Sequence, residues 1–261
     1  MMQDLFILFS PRNVIFFILV LTRLSGMLIT APFFSTYPIP MQAKAGLVAL
    51  SAFIMYPLLI HAHPFTVPQD VPVLTIYLLK ELFVGILIGF CTNLIFVGIQ
   101  MAGHLISMQM GISMSEVLDP MTRQQTPVLG QVYMFLASLV FIFINGHQWL
   151  FSSVYNSYSV IPVGLDFHLS GALVERIILF TSQMFIIAFQ VVIPIYGVLL
   201  IADIALGFLS KMMPQMNVFM VAIPFKIYVG IILMIAFMTT TGIYMSNLMQ
   251  SLLESINHMF V

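Results

Sequence analysis

The chain has 261 residues, of which 61% are hydrophobic and 7% charged, with a net charge of −1, and its mean hydropathy is +1.10. A soluble domain carries about 25% charged residues, so too little polar surface remains here to coat a water-soluble globule, and the chain reads as an integral membrane protein. The near-neutral balance gives no basis for nucleic-acid binding, and the single cysteine, Cys91, excludes an internal disulfide.

Six apolar segments stand out in chain order: 14–34, 45–60, 73–99, 128–145, 174–202 and 218–249. A spanning helix needs about 20 residues, and the connections are too short to form a soluble domain. The fold class expected is all-α, with about six kinked apolar helices in a single membrane domain, 1–261. The first segment follows Arg12 and continues past Arg23 to Phe34, which predicts an uncleaved first helix. The second ends at Pro57 and a turn containing His61 and His63.

The third segment does not fit a simple crossing. From Leu82 to Ser115 there is no charged residue over 34 positions. As one helix this run would reach about 51 Å, beyond the ~30 Å hydrocarbon core. It must bend, re-enter or run inside an assembly, and Gly98 and Gly103 are the expected bend points. Gly85 and Gly89, four apart, would let another helix approach closely. Pro194 and Pro224, inside later segments, each remove a helix hydrogen bond.

The stretch 100–127 is too polar for lipid and too apolar for a wet loop. Small residues recur at Gly103, Ser107, Gly111 and Ser115, among Met101, Met108, Met110, Met114 and Met121. It reads as a re-entrant segment that closes something. Methionine is apolar, unbranched and adaptable, so it can seal against irregular surfaces and repack. Glycine at 103 and 111 permits a sharp turn or a close backbone approach. Asp119-Pro120 is a suitable stop, because the residue before proline avoids helical geometry. Glu116, Asp119 and Arg123 cluster after the uncharged run and are expected, with Pro120, to tether its far end.

Arg23, Lys80, Glu81, Asp203 and Lys226 lie in or beside apolar segments. A charge at mid-membrane costs at least ~2.5–3.5 kcal/mol, so these side chains should snorkel, pair or face protein. Lys80 and Glu81, adjacent on a helix, point about 100° apart and should serve different partners. Asn145, His147, Pro214, Gln215 and Asn217 join them as candidate buried or inter-subunit polar positions. The histidines are read as hydrogen-bonded structural residues, since no cysteine or carboxylate cluster completes a metal site. No His-Glu-x-x-His, Gly-x-Ser-x-Gly or phosphate-binding loop occurs. Neither catalysis nor a cofactor is expected.

Four stretches then carry a resemblance along essentially the whole chain. The first is Lys80-Glu81 through Gly85, Gly89-Phe90 and Gln100-Met-Ala-Gly103. The second runs from Gly111 to Asp119-Pro120. The third is Asn145-Gly146-His147, followed by a loop from Ser157 to Pro162. The fourth is Pro214-Gln215-Met-Asn217-Val-Phe219, leading into Pro224-Phe-Lys226-Ile-Tyr-Val-Gly230. Their order and spacing resemble the FliR family of the flagellar type III export gate.

That resemblance implies a helical, multi-subunit gate shared with the FliP and FliQ membrane subunits and controlled with FlhB, in the bacterial inner membrane within the flagellar basal body. Unfolded flagellar subunits would pass through its pore. The segment from Ile106 to Thr122 would plug that pore, with Ile106, Met108, Met110, Gly111, Ile112 and Met114 as the sealing part. The helices would form hairpins packed on neighbouring subunits and lipid. An injectisome counterpart from virulence secretion is one alternative. A stand-alone ion- or proton-coupled transporter using Arg23, Glu81, Asp203 and Lys226 is another, and a purely structural scaffold is a third.

Overall fold

In a computed structural model, the described residues are 10–32, 34, 39–62, 70–113, 128–163, 171–213, 215 and 217–258. Among them the chain forms seven α-helices and no strand: α1 (Pro11–Thr30), α2 (Met41–Ala62), α3 (Val71–Met110), α4 (Val128–Phe143), α5 (Gly146–Val160), α6 (Gly171–Met212) and α7 (Val218–His258). Helix is the form forced on apolar sequence without water, because each backbone N–H and C=O must be satisfied within its own segment. Five helices are long and apolar enough to cross a membrane, or six if the broken pair α4 and α5 makes one span.

Several features differ from those the sequence suggests. The second segment is longer, a 22-residue helix that continues through Pro57; α6 and α7 likewise continue through Pro194 and Pro224. The fourth apolar segment is the single helix α4, which ends at Phe143; beyond Ile144 and Asn145 a further helix, α5, which the apolar segments do not include, runs to Val160. Asn145 takes left-handed geometry, φ 57° and ψ 35°, which asparagine tolerates better than most side chains. Finally, α3 is uninterrupted at Gly98 and Gly103 and reaches 40 residues.

The helices fall into two units. The first comprises Met1–Leu94, Asn145–Phe180 and Gln250–Val261. There α1 packs on α2 through Phe16 and Phe17, each with its ring 6.1 Å from Tyr56. The approach of α1 to α3 is closer still. A Cβ on Gly85 would lie 2.0 Å from the Arg23 carbonyl oxygen, one on Gly89 2.0 Å from Thr30 Oγ1, and one on Gly26 2.5 Å from the Leu82 carbonyl oxygen. No side chain larger than hydrogen fits at these three places, so the Gly85/Gly89 pair is a helix-packing site. Cys91 is buried here in the core.

The second unit comprises Ile95–Ile144 and Thr181–Met249. Gly98 and Gly103, expected as bends, are contact points instead. A Cβ on Gly98 would meet the Met184 carbonyl oxygen at 2.7 Å, and one on Gly103 the Leu129 carbonyl oxygen at 2.6 Å. Thus α3 packs here on α6 and α4, with Phe96 against Phe141 at 5.5 Å. The Tyr244 hydroxyl of α7 donates to the Gln190 side chain of α6. Between α4 and α7 an apolar cavity of about 1110 Å³ remains, lined by Val132, Leu136, Phe143, Ile235, Met238 and Gly242 among others.

Candidate gate segment and its seat

The C-terminal end of α3 is closed by glycine. Gly111 has φ +81°, its N–H donates to the Met108 carbonyl at 3.1 Å, and the Ile112 N–H donates to the Ser107 carbonyl at 3.1 Å. These are the paired hydrogen bonds of a Schellman cap, with Gly111 as the left-handed residue just past the helix. The Ser113 hydroxyl adds a bond back to the Ser107 hydroxyl at 3.2 Å. The helix therefore stops at Met110, ahead of Asp119-Pro120. Met114, Glu116, Asp119, Pro120 and Arg123 lie outside the described residues.

This end rests on one face of α7. Ile223, Lys226 and Gly230 fall at i, i+3 and i+7, a single helical stripe. A Cβ on Gly230 would lie 2.6 Å from the sulfur and terminal methyl of Met110 and 2.7 Å from its Cγ. Met110 thus fills the notch that Gly230 leaves, and it is fully buried, as is Ile106. Ile223 reaches within 3.7 Å of the Cβ position of Gly111. Met108, by contrast, is 55% exposed, while Gly111 and Ile112 are half-buried. Of the expected sealing residues, the described ones therefore divide into side chains held inside the chain and one that projects outward.

Polar contacts tie the same end to α6. Gln109 Nε2 donates to Asp203 Oδ2 at 2.8 Å, and Lys226 Nζ lies 2.9 Å from Asp203 Oδ1. One carboxylate thus bridges three helices, an amide on one oxygen and an ammonium on the other. Gln109 and Gly230 were not singled out as site residues from sequence. The four-residue spacing from Lys226 to Gly230 was the available signal, since it sets both on the same face.

A second charged pair lies in the first unit. Arg23 and Glu81 are buried. Arg23 Nε donates to Glu81 Oε2 at 2.6 Å and Nη2 to Oε1 at 3.0 Å. Nη1 donates to Ser157 Oγ at 2.7 Å, and Nη2 also to the Ile161 carbonyl at 3.0 Å. The guanidinium carbon lies 3.6 Å from the centroid of the Tyr158 ring. Four donated bonds and a stacked face give this cation the compensation that burial demands. Glu81 and Gly85 are four apart on α3, so the glycine contact that draws α1 close also brings Arg23 to the carboxylate. Lys80 takes a separate direction, its ammonium 5.9 Å from the Tyr77 ring centroid.

The remaining polar positions are less enclosed. Within this chain Asn145, Gln215 and Asn217 are exposed and His147 half-buried, while Pro214 lies outside the described residues. His104 is half-buried, with its Nδ1 buried and without a hydrogen-bond partner among the described residues.

Long apolar helices with compensated internal charges define an all-α integral membrane protein. A family model described as bacterial export proteins, family 1, matches residues 14–252, and the chain belongs to that family. Flagellar biosynthetic protein FliR of Bacillus subtilis (strain 168) is 30% identical over 247 residues, 93% of each chain. FliR of Escherichia coli (strain K12) is 32% identical over 225 residues, 84% of this chain and 82% of that one. Surface presentation of antigens protein SpaR of Shigella flexneri is 32% identical over 169 residues, 64% of this chain and 63% of that one. The resemblance to FliR noted in the sequence therefore holds over nearly the whole chain.

Proposed function

We propose that this chain is a subunit of the flagellar type III export gate and that the end of α3 helps close its pore. Unfolded flagellar proteins would cross the bacterial inner membrane through that pore. The geometric observation that carries the reading is the apolar, glycine-closed end of α3. It follows an uncharged helical run from Leu82, presents Met108 outward and is seated on the chain's own α7. A closed gate must exclude ions, and an open one must pass varied sequence without binding it. Apolar, adaptable methionine suits both tasks.

The long helices support an assembly. The apolar part of α7, Met220–Ile256, has 37 residues, which as a helix is about 56 Å against a ~30 Å hydrocarbon core. Only 6% of its most apolar stretch is buried within this chain, against 67% for α3. Apolar surface that outruns the bilayer needs protein to cover it, and FliP, FliQ and FlhB are the proposed partners. A stand-alone transporter is disfavoured, because Arg23, Glu81, Asp203 and Lys226 are all engaged in ion pairs within the chain. The reading assigns the chain no catalytic step.

Deleting Ser107–Ser115 in cells that assemble the gate tests this. Entry of a membrane-impermeant dye should rise while the partners still co-purify. Wild-type dye exclusion by a correctly assembled complex would overturn the gate role.

A further inference from the structure

We infer that Asp203 is a positioning residue of the gate: it holds the end of α3 against α7 through Gln109, with Lys226 holding the carboxylate in place. The inference rests on the gate reading above and adds a latch to it.

The geometry assigns each partner a distinct task. Met110 in the Gly230 notch is an apolar contact, non-directional, and fixes distance but not rotation. Gln109 is the residue next to it and donates to Asp203 at 2.8 Å, which fixes the rotation of the last turn of α3. With the turn so oriented, Met110 points into α7 while Met108, two residues earlier, points outward. Asp203 is itself fixed by Lys226 at 2.9 Å. The Asp203 side chain is 40% exposed and that of Lys226 17%, so the carboxylate is not sealed in a core. A carboxylate within an apolar helix is disfavoured unless it has work or a partner. Here one carboxylate joins the gate segment to both long C-terminal helices, and the Gln109 hydrogen bond is its polar link to α6 among the described residues.

Reversing the donor and acceptor tests the latch. Gln109→Glu places a second carboxylate against Asp203. It should undock the segment and raise dye entry about tenfold, which corresponds to about 1.4 kcal/mol against the docked arrangement. The double variant Gln109→Glu with Asp203→Asn restores one amide facing one carboxylate and should return dye exclusion to the wild-type level. A packing role alone would not be rescued by exchanging the two groups. Dye exclusion by Gln109→Glu, or equal leakage from the single and double variants in complexes that co-purify normally, would overturn the inference. If Gln109→Glu prevents assembly, Gln109→Leu removes the bond without adding charge; leakage is expected, and full exclusion would overturn the inference. The Ser107–Ser115 deletion run in parallel separates the two claims. A leaking deletion with a tight Gln109→Glu variant refutes the latch alone, whereas a tight deletion refutes the gate.

Discussion

Met110 occupies the space that a side chain at Gly230 would need, its sulfur 2.6 Å from where the Cβ would stand. The two residues are 120 positions apart in sequence, and their contact fixes where α3 ends relative to the surface of α7. Because the Met110 Cγ lies 2.7 Å from the same Cβ position, cysteines at both places meet the reach of a disulfide.

The first prediction uses that reach. In a Cys91→Ala background, Met110→Cys with Gly230→Cys should cross-link on oxidation and stop flagellar protein export, and a reductant should restore it. Secretion of flagellar subunits into the medium, measured before and after reduction, checks this. Export continuing at the wild-type rate through a fully cross-linked gate would show that this contact need not open.

Exchange at the buried pair gives a second. Arg23→Met or Glu81→Leu alone leaves one buried charge without its partner and should destabilise the protein by about 3–5 kcal/mol. Joining both changes should recover most of that loss, since an apolar pair of similar volume needs no compensation. Arg23→Lys should behave like a loss, because an ammonium cannot reproduce the two-pronged contact with Glu81 or the stack on Tyr158. Thermal denaturation of the purified complex, followed by its melting temperature, distinguishes these outcomes; a double variant no better than the singles would contradict them.

Glycines of the same type should differ sharply by position. Gly85→Ala drives a methyl into the Arg23 backbone and should separate α1 from α3, with loss of the folded chain from membranes. Gly46, inside α2, has nothing within 4 Å of its Cβ position. Gly46→Ala should leave the chain unchanged or raise its stability by up to about 1 kcal/mol through helix propensity. Membrane yield and melting temperature of the two variants provide the comparison.

Left-handed positions supply a fourth prediction. Gly111→Ala should cost about 1–2 kcal/mol, because φ +81° is adverse for a residue with a Cβ. Asn145→Gly should be tolerated, whereas Asn145→Val should cost more than either, since a β-branched residue is a true outlier at positive φ. Equal melting temperatures for the two Asn145 variants would remove the backbone argument.

Much of the fold was legible in residue composition and spacing. Apolar runs located the long helices, and the glycines at 85 and 89 marked a close helix contact. What was not legible follows from packing. Gly98 and Gly103 look like hinges in sequence, yet glycine both bends helices and admits neighbours, and only the surroundings decide which. The helix α5 beyond Asn145 was hidden because it is far less apolar than α4, with Gln148, Ser152, Ser153, Asn156, Ser157 and Ser159 along it. Charges could be flagged as needing partners, but Arg23 and Glu81 are 58 positions apart, and no local pattern joins them. Gln109 escaped notice because an amide in a methionine-rich stretch carries no periodic signal until Asp203 is set beside it.

The Arg23 network also constrains the order in which the protein is made. Glu81 follows Arg23 by 58 residues and Ser157 by 134. At roughly 5–20 residues per second, a ribosome delivers Glu81 about 3–12 s after Arg23 and Ser157 about 7–27 s after it. Throughout that interval the first helix carries a bare cation that disfavours deep insertion by ~2.5–3.5 kcal/mol. Its early residence in the bilayer is therefore provisional, and its final depth is set only when a later part of the nascent chain arrives to neutralise it.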